Sequence, residues 1–533
     1  MDLFRSGANP RDSRNLSFAV LLAALPLLIA ACGSGGNGNS AHAPGAIDTS
    51  GVITIGTTQE PTGFNPATTL DGGATNPFLQ DVYDSLVQQS TTTGAVEPDL
   101  ATSWSWSTNH LTLNMTLRQG VRFQDGTPFN AAAVAWWENY YLSQGDDGAY
   151  LTDVTHVDAT GAFTVAFHLS SPNSILLGSL THLPGYVPSP AAFKKEGASG
   201  LATHPVGTGP YEFVSEQVGY DVILKSWSGY WNNAQEPRAS RLDWQFFSTD
   251  TAEVDAIKSG AIDVATSLLP QDYSALKDYP GLVATSAAGV DNWFGLWNEA
   301  DPPFNSADFR LALQYAVDSQ GLNQVVLTGA GSAPVSYATT VSTERSLLPL
   351  WSYNPAVAKQ YLRKAGYPNG IKLTCYAEAP QSGGDYNIIS PVLLADYSAV
   401  GIHMTLKPLL AAQLGAALSG KLTPCFFYNV DAANTSAFGI EQDYQNFAYQ
   451  GGLLNIGHVA LSTDKYVAAF RDTFSGSGLD QLFYDITRLQ KTDPPPLAPI
   501  LAGPEVNVYK HDIAGYATCG FENDHWYEMY RTS

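Results

Sequence analysis

Basic residues are scarce in this chain, cysteines are few, and no long apolar run occurs after residue 31. Against 49 Asp and Glu there are only 26 Lys and Arg, a formal net charge of −23 over 533 residues. Nucleic-acid affinity rests on basic side chains that displace phosphate counterions, so the shortage argues against a nucleic-acid partner; an acidic surface serves solubility. No His-Glu-x-x-His, Gly-x-Ser-x-Gly or Cys-x-x-Cys is present, which removes the usual zinc, serine-hydrolase and dithiol signatures. The ten histidines are scattered without metal spacing. Gly415 to Lys421 imitates a phosphate loop until Leu422 stands where Ser or Thr would hold magnesium. No catalytic residue, metal or cofactor emerges from these patterns. A secreted hydrolase, whose carboxylates no local pattern reveals, stays open as a class.

What is present begins with an address. Arg5, Arg11 and Arg14 precede the apolar run Phe18 to Ala31, which falls short of the roughly 18–20 residues that span a bilayer. Residues 1–31 therefore read as a signal peptide. Leu28-Ile29-Ala30-Ala31-Cys32 resembles a lipobox, with Cys32 as the lipidated residue, and residues 32–50 form a Gly/Ser-rich tether. The mature protein is expected outside the cytoplasm, lipid-anchored to the cell membrane. Cys375, Cys425 and Cys519 remain, enough for one disulfide at most. Cys375 and Cys425 are favoured because both sit in expected strands, though the pairing stays open.

Strand and helix patterns alternate along the rest. Val52 to Gly56 and Leu111 to Leu117 alternate as strands, and Phe78 to Val87 has helical spacing. Asp125-Gly126 marks a tight turn before a helix capped by Asn130. Gly207 and Gly209 read as a place where backbones approach closely. Trp293 to Asn298 is a strand followed by Pro302-Pro303; a helix then starts at Asn305 or Ser306, burying Phe309, Ala312, Leu313, Ala316 and Val317. Gly366 ends another helix, with Pro368 just after. Strands at Ile371 to Ala377 and Gly401 to Lys407 flank a helix at Val392 to Val400.

Several of these segments resemble solute-binding protein family 5 of the ABC importers, the oligopeptide and dipeptide receptors. Leu117-Arg-Gln-Gly-Val-Arg-Phe-Gln-Asp-Gly-Thr-Pro-Phe-Asn130 follows the family pattern except that Gln124 replaces His, and Ala133 replaces Asp a little further on. Pro205-Val-Gly-Thr-Gly-Pro-Tyr-Glu-Phe213 and Phe309-Arg-Leu-Ala-Leu-Gln-Tyr-Ala-Val-Asp318 are similar to two further hallmarks. The resemblance implies an α/β, two-lobed periplasmic-binding-protein-like fold of the class II, cluster C type. Lobe I would span 51–290, with a subdomain inserted at roughly 95–204; lobe II would span 291–500, and 501–533 would return to lobe I. It also implies a monomer that closes on a peptide and delivers it to ABC permease subunits in the membrane. Oligosaccharide or metal-chelate receptors, and a sensor without a permease, are the alternatives within the class.

The resemblance places the ligand beside two stretches. In the segment Cys425-Phe-Phe-Tyr-Asn-Val-Asp431, Tyr428 and Asp431 occupy the positions of the family's aromatic residue and of the Asp that pairs with a peptide α-ammonium. Trp293, Phe294 and Trp297 are the other candidates, and Gly295 between the indoles would leave room for a ligand backbone.

Overall fold

The computed structural model describes residues 47–69, 76–90, 95–145, 148–331, 350–378, 386–409, 424–431, 455–474, 479–516 and 526–532, with positions 413, 416, 417, 421 and 450. Cys32, the signal peptide, most of the tether and Cys519 lie outside them. Six strands open the described chain: β1 Ile47–Asp48, β2 Val52–Thr57, β3 Val87–Gln89, β4 Val96–Pro98, β5 Ala101–Trp106 and β6 Thr112–Leu117. Then come β7 Val154–Gly161, β8 Thr164–Leu169, β9 Tyr211–Gln217, β10 Asp221–Ser226, β11 Arg241–Phe246, β12 Val264–Leu268 and the long β13 Leu282–Trp297. The last six are β14 Ile371–Glu378, β15 Ile402–Leu409, β16 Cys425–Asp431, β17 Leu497–Lys510, β18 Ile513–Ala514 and β19 Tyr530–Thr532.

Ten of these form one sheet in the order β15-β14-β16-β13-β17-β12-β2-β11-β10-β9. The long antiparallel pair β13 and β17 lies at its middle, and each strand serves both sides. Trp293 to Trp297 of β13 pair with β16, while Val506 to Tyr509 of β17 pair with β12. A separate sheet has the order β5-β6-β8-β7. The buried apolar residues divide in the same way. One core gathers Ile53, Phe78, Trp137 and Trp244; another gathers Trp293, Trp297, Phe309, Leu393 and Phe427; a small third packs Ile257 and Ile262 on Val506 and Val508.

The turn and cap chemistry expected from the sequence is present. Asn130 accepts from the Ala133 N–H, and Ser306, rather than Asn305, caps the Ala307–Ala316 helix by accepting from Phe309. Gly366 takes φ +96° after the Pro355–Lys364 helix, a conformation without penalty for glycine. A methyl group at Gly207 would strike the Val82 carbonyl, and one at Gly209 would come within 2.6 Å of the Val82 carbonyl carbon, so both glycines serve close backbone approach. Cys375 and Cys425 form a disulfide that ties β14 to β16.

Two expectations change. The helix foreseen at Phe78 to Val87 runs only over Asn76–Val82, and Val87 starts a strand. The Val82 carbonyl accepts from the Gly209 N–H at 2.9 Å and from Gln124 Nε2 at 3.2 Å, which leaves nothing for a further helical turn. Similarly, the helix after Ser306 stops at Ala316, and Asp318 caps a second helix, Ser319–Val326, by accepting from the Gly321 N–H.

Candidate functional site

The β13–β16 register gathers the candidate residues onto two neighbouring strands. Phe294 lies opposite Tyr428, Trp293 opposite Asn429, and Asp291 opposite Asp431. On its other side β13 meets β17, with a bulge between Trp293 and Phe294: Trp293 pairs with Leu501 but Phe294 with Pro499. The bulge falls beside the expected ligand stretch, a place where such irregularities commonly re-aim side chains.

Each indole sits over a glycine. A Cβ on Gly503 would lie 2.7 Å from Cζ3 of Trp293, so β17 is bare where that ring rests. The space above Gly295, expected to receive a ligand backbone, is filled by Trp297 itself, whose indole a methyl group there would strike. Trp297 stacks on Phe304 at 5.3 Å and 10° and meets Phe427 edge-on at 5.6 Å. These contacts make it a core residue in this arrangement. Trp293 is also only 1% exposed, yet its Nε1–H finds no acceptor among the described residues. Buried donors nearly always have partners, and Trp293 shares this condition with Trp244, Trp351 and Trp526. Phe294 is buried too, at 8% exposure.

The loop leaving β13 is fixed by Arg310, which the motif supplies from the first turn of the Ala307–Ala316 helix. Its guanidinium donates to the carbonyls of Pro494 at 2.7 Å and Phe304 at 2.8 Å, and to Asp493 Oδ1 at 2.7 Å. Glu299 Oε1 lies 3.2 Å from its Nε. Burial pushes the Glu299 carboxyl up to about 7, with Arg310 holding it down and Asp493 adding to the rise. This arginine therefore positions backbone, with its donors spent on the protein itself.

Gln124, where the resemblance expects His, is the joint between two motifs. Its Nε2 donates to Tyr211 O at 2.7 Å and to Gly209 and Val82 carbonyls at 3.2 Å, and its Oε1 accepts from the Gly207 N–H. The sequence marked it only as a departure from the family pattern, because an amide's value here comes from several chain segments that only folding brings together.

Next to the same segment, Asp84 and Asp99 are buried. Asp84 accepts from Tyr230 OH at 2.9 Å and from Trp231 Nε1 at 2.6 Å. Burial pushes its carboxyl up to about 6, against the pull of these hydrogen bonds and of Arg118. A polar cavity of about 40 Å³ borders Asp84, Asp99, Tyr186, Tyr230 and Tyr527. That is room for about three waters and far from the several hundred Å³ a solute needs. Elsewhere, the expectation that the histidines are scattered fails for His156 and His168, which stack 4.4 Å apart.

Comparison with known proteins gives the fold its class: a two-lobed periplasmic binding protein of cluster C. The periplasmic binding protein DppA of Helicobacter pylori, solved with the peptide STSA, superposes with a TM-score of 0.79 at 19% identity, covering 91% of this chain and 98% of that one. The binding protein AgaA of A. tumefaciens R10, solved with agropinic acid, gives 0.80 at 19% identity over 91% and 99%. Residues 95–450 match the bacterial extracellular solute-binding proteins, family 5 (middle), and the chain belongs to that family. Among curated relatives, the glutathione-binding protein GsiB of Escherichia coli is 28% identical over 330 residues, 60% of this chain. The chain thus spans 63% of the length of that relative. Its relatives are solute-binding proteins rather than enzymes. Among the described residues, no helix is long and apolar enough to cross a membrane.

Proposed function

We propose that this chain is the lipid-anchored receptor of an ABC importer, binding peptides between two lobes and passing them to the permease. The observation that carries the reading is the family match over 95–450, which takes in both strands of the candidate site. Lobe I spans 51–290 with its inserted subdomain, lobe II spans 291–500, and 501–533 returns to lobe I. The shared strands β13 and β17 are then the hinge. Asp431 meets the peptide α-ammonium, since a carboxylate in a dry cleft favours a cation strongly. Tyr428 and Phe294 supply aromatic surface, and the free Nε1–H of Trp293 donates to a peptide carbonyl. Cys32 carries the lipid, and the receptor works as a monomer without cofactor or catalysis.

Native mass spectrometry of the mature protein without its lipid, followed by thermal shifts with peptide and oligosaccharide panels, tests this. A peptide at 100 times its Kd stabilises by about 2.7 kcal/mol, and Asp431→Asn removes most of that gain. Stabilisation by oligosaccharides alone keeps the receptor role and removes Asp431 from the site. Conversion of a panel member to product overturns the receptor reading in favour of a hydrolase.

A further inference from the structure

The sheet β5-β6-β8-β7 turns one face to the core and brings two histidines and an aspartate together on the other. Val165, Phe167 and Leu169 of β8 are buried, which sends His168 to the outer face. In β7 a bulge between Val154 and His156 shifts the phase, so that His156 pairs directly with His168 and Asp158 with Ala166. The imidazole planes lie 8° from parallel. Asp158 Oδ2 is 3.5 Å from Nε2 of each ring, with only the methyl of Ala166 directly across from it.

The bulged residue, Thr155, selects the tautomer. Its hydroxyl donates its one hydrogen to the His168 carbonyl at 3.0 Å, and so accepts at its 2.9 Å contact with His156 Nδ1. In the neutral ring the hydrogen therefore sits on Nδ1, and Nε2 offers its lone pair toward Asp158 and His168. This is the outer support that metal-ligating histidines usually have.

We infer that His156 Nε2, His168 Nε2 and an Asp158 carboxylate oxygen form a surface site for a divalent transition ion, with Zn²⁺ as the reference. A tetrahedral ion with bonds of about 2.0–2.1 Å spaces its ligand atoms about 3.3–3.4 Å apart. Two of the three spacings here are 3.5 Å, and all three atoms lie within 4.8 Å of one another. Two imidazoles and a carboxylate suit zinc, nickel or copper, whereas calcium and magnesium ask for an oxygen shell. Three protein ligands leave a fourth position for water. The site is independent of the solute reading, because none of its residues lies on β13, β16 or β17.

The test is Zn²⁺ titration calorimetry on the mature chain purified without an affinity tag, with the visible spectrum of added Co²⁺ as a second readout. The wild type is expected to bind one equivalent more than His168→Ala, and the tetrahedral Co²⁺ bands are expected to vanish in that variant. His156→Ala and Asp158→Asn should show the same loss. Thr155→Val, which keeps all three ligands, should weaken binding roughly 10- to 100-fold. All four positions are on the solvent face, so unchanged metal-free melting checks the fold. Equal stoichiometry and affinity in the wild type and His168→Ala overturns the site, as does a wild type that binds no Zn²⁺.

Discussion

Two clusters, one in each half of the chain, contain the same parts: two acidic residues and one arginine in or against a core. Around Arg310 the guanidinium reaches Asp493 directly, lies beside Glu299, and spends its other donors on two carbonyls. Around Arg118 the guanidinium reaches no carboxylate by hydrogen bond among the described residues; its Nε donates to the Asp99 carbonyl at 3.1 Å, and its Cζ lies 4.4 Å over the Trp231 ring. Asp84 is left to Tyr230, Trp231 and Thr208. Burial then raises both acids, Asp99 further by the charge of Asp84. The same inventory thus gives a lock hydrogen-bonded to its arginine in one place and a pair of raised acids that feel theirs only through its field in the other. What differs is where the arginine's donors are spent.

The sharpest way to break the contrast is to remove the lock. Arg310→Met leaves Glu299 and Asp493 without their cation and two carbonyls without donors, and should cost about 3–5 kcal/mol in urea unfolding. The cost should grow between pH 6 and 9. Glu299, already raised to about 7 with Arg310 present, rises further without it. A raised carboxyl contributes stability that is complete below its unfolded value and lost as pH climbs through its folded value, so the variant keeps losing stability above the point where the wild type has finished. A cost that is flat with pH would show that Glu299 is not part of the lock.

The second half also has a covalent tie that the described first half lacks. The Cys375–Cys425 bridge closes a loop of 50 residues, so Cys375→Ser with Cys425→Ser should cost about 2–4 kcal/mol. Matching Tm values for that double variant and the wild type would show that the packing of β14 on β16 suffices without the bridge.

In the Asp84–Asp99 pair, Asp84→Asn should cost about 1–3 kcal/mol at pH 4, because one amide oxygen must serve two donors, the buried Tyr230 and the half-buried Trp231. Here the cost should shrink toward pH 7. Wild-type Asp84 contributes most below pH 4 and loses that contribution as pH rises through about 6, while the asparagine does not titrate. The two clusters therefore move in opposite directions with pH when their key residue is removed, and urea midpoints across pH 4 to 9 read both.

Much of this was legible in the chain itself, for physical reasons that separate it from what was not. Asn130, Gly207, Gly209 and Gly366 were readable because caps and close backbone approaches are local demands on one residue type. The early end of the Asn76–Val82 helix was not, since the groups that take the Val82 carbonyl come from residues 124 and 209. Trp297 looked like a ligand contact because alternation shows which face a ring occupies but not whether a neighbouring phenyl already covers it. His156 and His168 escaped because their spacing means nothing until a bulge sets the register of β7 on β8. The candidate site was legible as two strands, and the register of β13 on β16 was not.

The smallest expected effect tests the contrast most directly. Arg118→Met keeps an apolar stem against Trp231 but loses the charge over the ring and the hydrogen bond to the Asp99 carbonyl, a change of about 1 kcal/mol at this half-buried site. The revealing quantity is the titration. Arg118 holds both carboxyls down, so without it the Asp84 midpoint should move above about 6, followed by carboxyl-carbon NMR. Because a raised folded value extends the loss of stability to higher pH, the variant should unfold at nearly wild-type urea concentrations near pH 4 and diverge above pH 6. An unmoved midpoint would mean that the stacked guanidinium exerts no field on the pair, and that burial with the hydrogen bonds of Tyr230, Trp231 and Thr208 sets its proton.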